Sequence, residues 1–192
     1  MNRLTRLAAA ALAASAGASL LAAQQKPTSN EHESMKPVAE ATATIAGESI
    51  TGTATFSEYQ HGDSRMVQIH VTVSGLKPGQ HGVHLHAVGK CEAPFTSAGG
   101  HYDPGPAGNP DPDANHPYHM GDLPNLQVGA DGKGELNATT TRVTISDGPL
   151  TLADADGSAI IIHGNPDQGI TGESKSGVSG GPRVACGVIT RK

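Results

Sequence analysis

The sequence predicts an all-β domain: a barrel or sandwich of eight antiparallel strands carrying two long loops. Two observations predict it. Short stretches of alternating or β-branched residues recur between turn signals, at Ala41–Ala46, Ile50–Phe56, Met66–Val73, His81–His86, Leu126–Val128, Glu135–Thr140, Ala159–His163 and Val184–Ile189. The composition, with 25 Gly, 13 Pro and no Trp in 192 residues, describes a turn-rich chain whose core is filled by small side chains.

The N-terminal 23 residues are expected to lie outside this domain. Arg3 and Arg6 precede an Ala/Leu stretch from Leu7 to Ala23, and the polar run Gln24-Gln25-Lys26-Pro27 follows. This is the build of a secretory signal peptide cleaved near Ala23. The stretch is shorter than the roughly 20 apolar residues of a spanning helix, so no membrane attachment is expected after cleavage. Residues 24–40 read as a flexible leader and 41–192 as the folded domain.

Within the domain, the run Met66–Val73 shows the strand period most clearly. Val67, Ile69, Val71 and Val73 face one way, and Gln68, His70 and Thr72 the other. Asp131-Gly132, between two of the runs, is a hairpin signal. Two segments, Gly89 to about Pro124 and Gly164 to about Pro182, break the rhythm. They are rich in Gly, Pro, Asp and Asn, and long structureless loops in a compact domain are usually functional or disordered. The first holds several histidines and a cysteine, so it reads as functional.

Composition also excludes some partners. The formal net charge is −5 and aromatics make up 3% of the chain, and loss of Arg3 and Arg6 deepens the acidity. A nucleic-acid surface needs basic stripes and stacking rings, so no nucleic-acid partner is expected. Export places Cys91 and Cys186 in an oxidising compartment, where an isolated pair reads as a disulfide rather than a metal site.

The chain carries ten histidines. His84-Leu85-His86 lies on a predicted strand, where side chains two apart share a face, so two imidazoles can grip one ion. His163 ends the apolar run Ala159–Ile162, and His101 lies in the turn-rich stretch Thr96–Pro104. In Asn115-His116-Pro117-Tyr118-His119-Met120-Gly121-Asp122, two imidazoles and a carboxylate stand three residues apart. With one more nitrogen they would complete a tetrahedral zinc site. Imidazole donors suit copper and zinc, whereas calcium and magnesium take oxygen.

Four ordered motifs, Gly79–His86, Ser97–His101, Gly121-Asp122-Leu123-Pro124 and Gly181-Pro182-Arg183-Val184-Ala185-Cys186-Gly187-Val188, resemble those of the copper/zinc superoxide dismutase family, and the resemblance runs from Ala41 to the C-terminus. It implies a Greek-key barrel or sandwich. It implies copper at His84, His86, His101 and His163, zinc at His101, His119 and Asp122, and a disulfide between Cys91 and Cys186. Arg183 would line the channel for the superoxide anion, Asp167 would link the two metal sites, and His81 would be structural. His101 and Arg183 would take part in turnover, which yields dioxygen and hydrogen peroxide.

One position departs from the family pattern. A further zinc histidine is expected eight or nine residues after His101, but Asn109 and Pro110 stand there. His116 is the favoured replacement because imidazole restores the donor set, with Asp111 and Asp113 as alternatives. The signal peptide, together with the Gly121–Pro124 pattern, points to a secreted or periplasmic protein, and the family resemblance allows a homodimer. A superoxide-dismutase-like copper carrier without turnover is the alternative to the enzyme.

Overall fold

A computed structural model describes residues 36–105 and 108–192. The expected signal peptide and most of the leader fall outside the described residues. Among the described residues the strands are β1 (Ala39–Gly47), β2 (Thr51–His61), β3 (Ser64–Ser74), β4 (Gly79–His81), β5 (Val83–His86), β6 (Leu126–Val128), β7 (Lys133–Thr140), β8 (Ala159–His163), β9 (Arg183–Val188) and β10 (Thr190–Arg191), with a 3-10 turn at Thr96–Ala98. Ten strands replace the expected eight for two reasons. The run His81–His86 breaks at Gly82, and a two-residue strand pairs with β1 at the C-terminus.

All pairings between these strands are antiparallel, in the order β4-β6-β7-β3-β2-β1-β9-β8-β5, which makes a nearly closed barrel. The two ends of this path, β4 and β5, are consecutive in the chain. Gly82 makes the crossing: its N–H donates to Asn165 O at 2.9 Å and its carbonyl accepts the N–H of His163 at 2.9 Å. One extended segment therefore pairs with β6 on one side of the seam and with β8 on the other.

The period-2 pattern explains the core. Val67, Ile69, Val71 and Val73 of β3 are buried as expected, beside Ala41, Ala43 and Ile45 of β1 and Phe56 of β2. The run in β8 does not alternate because both its faces are covered. Ile160 and Ile162 enter the barrel core, while Ala159 and Ile161 pack outside with Cys186, Ala98, Cys91 and Phe95. Cys91 and Cys186 form the expected disulfide, with their Cα atoms 5.6 Å apart and a sequence separation of 95.

A third long connection, 141–158, carries Val143, Ile145 and Leu152 into the core. Glu58 holds it in place. This fully buried carboxylate accepts the N–H groups of Ile145 and Ser146 at 2.7 Å each, the Ser146 hydroxyl, and Arg65 Nη1 at 3.1 Å. Burial alone would push its carboxyl up, but these donors outweigh it and hold the group below its ordinary value.

Candidate metal centre

On β5 the side chains alternate. Val83 and Leu85 fill the barrel core, so His84 and His86 point to its outer face. That face is roofed by the first long loop, which Tyr102 anchors. Its ring is buried, its hydroxyl donates to Thr151 O at 2.8 Å, and its N–H donates to Leu85 O at 2.8 Å. The docking pairs His101 with His86 and Asp122 with His84. Gly121 lies so close to β5 that a Cβ there would come within 2.4 Å of Leu85 O, which accounts for glycine before Asp122.

His84, His86, His101 and His163 form the first cluster. Each offers one ring nitrogen, and these atoms lie within 4.8 Å of one another. All four residues are at most 2% exposed. His84 Nδ1 and the Nε2 atoms of His86, His101 and His163 are buried without a hydrogen-bond partner. The opposite nitrogens are all engaged: His84 Nε2 with Asp167 Oδ2 at 2.9 Å, His86 Nδ1 with Gly99 O at 3.1 Å, His101 Nδ1 with Asp122 Oδ1 at 2.7 Å, and His163 Nδ1 with Gly181 O at 3.1 Å. A ring held at one nitrogen and bare at the other is the arrangement by which proteins orient a metal ligand. Buried bare nitrogens cost stability unless an ion or another partner satisfies them.

Electrostatics favour the neutral, coordinating form of these rings. Burial holds His86 and His163 well below the ordinary imidazole value, and neighbouring histidines and Arg183 push the same way. Burial also lowers His101, to about 4, although Asp122 opposes the shift.

A second cluster adjoins the first through His101. Asp122 lies 2.7 Å from His101 Nδ1, 3.1 Å from His119 Nδ1 and 3.3 Å from His116 Nδ1. Simple proximity groups His84 with His101, His116 and Asp122 in place of His119. His84 nevertheless belongs with the first cluster, because its Nδ1 is offered there and its Nε2 is held by Asp167, whereas His119 Nδ1 also lies 3.3 Å from His101 Nδ1. His116 Nδ1 is buried without a hydrogen-bond partner, and His116 Nε2 meets Asp167 Oδ1 at 2.6 Å. Asp167 thus touches one ring of each cluster. Burial would lower His116, but Asp122 and Asp167 outweigh it and raise the ring to about 9.

Asn109 and Pro110 stand beside the histidine common to both clusters. Pro110 O accepts the N–H of His101 at 3.0 Å, so this stretch supports the shared histidine through its backbone. Asp111 and Asp113, the two alternatives to His116, turn to other partners. Asp111 accepts Ser174 Oγ and the N–H groups of Asp113 and Ala114, and Asp113 accepts the N–H groups of Gly177 and Ser179.

Arg183 is half-buried and donates to Phe95 O at 2.7 Å and to Gly99 O at 2.6 Å. With His163 it lines a cavity of about 320 Å³ whose rim includes Asp111, Asp113, Lys175 and Ser179. His81 lies away from both clusters, its ring nitrogens 2.8 Å from His163 O and 2.9 Å from Lys77 O, tying β4 to the end of β8. Arg142 was not foreseen from sequence. Its guanidinium donates to the backbone carbonyls of His119 at 2.8 Å and Asp122 at 2.5 Å, and a lone arginine after a strand gives no sign of such a grip.

The barrel with its two adjoining histidine clusters defines an all-β protein whose buried side chains could hold metal ions. The sequence profile of the copper/zinc superoxide dismutases matches residues 50–189, and this chain belongs to that family. It is 42% identical over 151 residues to the Cu-Zn superoxide dismutase of Deinococcus radiodurans, covering 73% of this chain and 77% of that protein. It is also 37% identical over 139 residues to the superoxide dismutase-like protein YojM of Bacillus subtilis, covering 70% and 68%. A crystal structure of a SOD-like protein from Bacillus subtilis superimposes with a TM-score of 0.62 at 31% identity, covering 77% of this chain and 96% of that one.

Proposed function

We propose that this chain is an exported superoxide dismutase, with copper at His84, His86, His101 and His163 and zinc at His101, His116, His119 and Asp122. The carrying observation is the convergence of four buried, unpartnered ring nitrogens, each on a ring held at its other nitrogen. An all-imidazole set suits copper, and three imidazoles with one carboxylate suit tetrahedral zinc. Bound copper would supply a one-electron redox couple, the chemistry by which two superoxide anions and two protons become dioxygen and hydrogen peroxide.

The residues of the chain do the rest. Arg183, beside the cavity that reaches His163, gives an anion a local positive partner in a chain of net charge −5, a form of steering already described for this family. His101 presents Nε2 to one cluster and Nδ1 to the other. A proton held at Nε2 in one half of the cycle and released in the other would supply one of the two that peroxide needs. The disulfide fits a secreted or periplasmic setting.

The test is to load the protein with both metals, count them, and measure superoxide removal in wild type, His163→Ala and His116→Ala. Wild type should bind both and turn over, His163→Ala should lose copper and turnover, and His116→Ala should lose zinc. Wild-type protein that holds copper without turnover would be a copper carrier instead. Full zinc retention in His116→Ala would overturn the zinc assignment alone.

A further inference from the structure

Asp113 belongs to neither cluster, yet it is only 4% exposed. A carboxylate at that depth costs stability unless its oxygens find donors. Oδ2 accepts the N–H of Gly177 at 2.8 Å and Oδ1 that of Ser179 at 3.0 Å, while the Asp113 backbone carbonyl accepts the N–H of Gly172 at 2.9 Å. All three donors come from the second long loop. One residue of the first loop therefore holds the second at three points.

The hold reaches His163 through the next two residues. Gly180 has φ +111 and lies so close to His163 that a Cβ there would sit 2.7 Å from His163 Cβ, so only glycine fits without strain. The carbonyl of Gly181 accepts the proton of His163 Nδ1 at 3.1 Å. That bond selects the tautomer: Nδ1 keeps the proton and Nε2 stays bare toward the cluster.

We infer that Asp113 is a positioning residue for the fourth copper histidine. By anchoring the amides of Gly177 and Ser179 it seats Gly180 and Gly181 against the His163 ring, and so sets which nitrogen faces the metal. Its meaning for copper rests on the reading proposed above; the tether itself does not.

The test begins on metal-free protein, with 15N NMR of the His163 ring and amide exchange at Gly177 and Ser179. Wild type should show the Nδ1–H tautomer and slow exchange. Asp113→Ala should show mixed tautomers and exchange at least tenfold faster, and Asp113→Asn, which keeps one acceptor oxygen, should fall between. In copper-loaded protein, Asp113→Ala should bind copper at least tenfold more weakly and change the Cu(II) EPR spectrum. A wild-type tautomer and an unchanged spectrum in Asp113→Ala would overturn the inference even if the loop amides exchanged faster. If the alanine variant fails to fold, the asparagine variant decides by the same readouts. If wild type binds no copper, the copper reading fails, while the tautomer comparison still judges the tether.

Discussion

The two clusters share His101 but are built differently. In the first, His84 and His86 sit on β5 and His163 ends β8, so three of four rings are carried by paired strands of the barrel. In the second, His116, His119 and Asp122 all come from the first long loop, and their places depend on how that loop docks. Strand-borne rings inherit the precision of the sheet. Loop-borne side chains need outside ties, supplied here by Asp167 to His116 and by Arg142 to the carbonyls of His119 and Asp122.

The largest expected effect breaks the first cluster only. His163→Ala should reduce superoxide removal by at least a hundredfold and abolish tight copper binding, with zinc still bound. Metal counting and turnover check it, and loss of both metals would show that the two sites cannot be separated.

Opening the disulfide should come next. Cys91→Ser with Cys186→Ser should cost roughly 2–5 kcal/mol of stability in denaturant unfolding. It should also loosen the segment from Cys91 to Gly99, which packs over β8 and β9 and supplies carbonyls to His86 and Arg183. Copper binding should therefore suffer more than zinc binding.

Asp167→Asn sharpens the comparison from the other side. The carboxylate steadies one strand-borne ring and one loop-borne ring, and loss of such a partner typically costs about 10–100-fold in metal affinity. The loss should fall mainly on zinc, because His84 remains fixed by β5. Competition titrations with each metal measure it.

The last effect is one of pH on the metal-free protein. His86 and His163 are depressed when folded, so below about pH 6.5 the unfolded chain takes up protons that the native state does not. Their contribution is present above that pH and declines as pH falls, by at most about 1.4 kcal/mol per pH unit for each ring. His116, raised to about 9, acts oppositely: its contribution is full below about 6.5 and fades as pH rises through 9. Unfolding midpoints across pH 5–10 should peak near pH 6.5 and fall on either side, and a flat profile would contradict the assigned shifts.

The same contrast governs what could be read from the amino-acid sequence. The valines of β3 and the His84/His86 pair announce themselves because strand periodicity is local. The break at Gly82 was hidden, since it depends on β4 and β5 facing opposite sides of the seam. His116 could be favoured over Asp111 and Asp113 on donor chemistry, but the turning of those carboxylates toward the second loop is a tertiary matter that no spacing reveals. Glu58 and Arg142 were illegible for the same reason, as their partners lie far along the chain or are backbone atoms.

The carbonyl of Gly99 accepts from both His86 Nδ1 and Arg183 Nη2, filling both lone pairs of one oxygen. The ring of His86 and the guanidinium of Arg183 are thereby mechanically geared. A shift of this single peptide plane would turn an imidazole and release a guanidinium together, so variants in 96–99 should alter metal coordination and ionic-strength dependence in step.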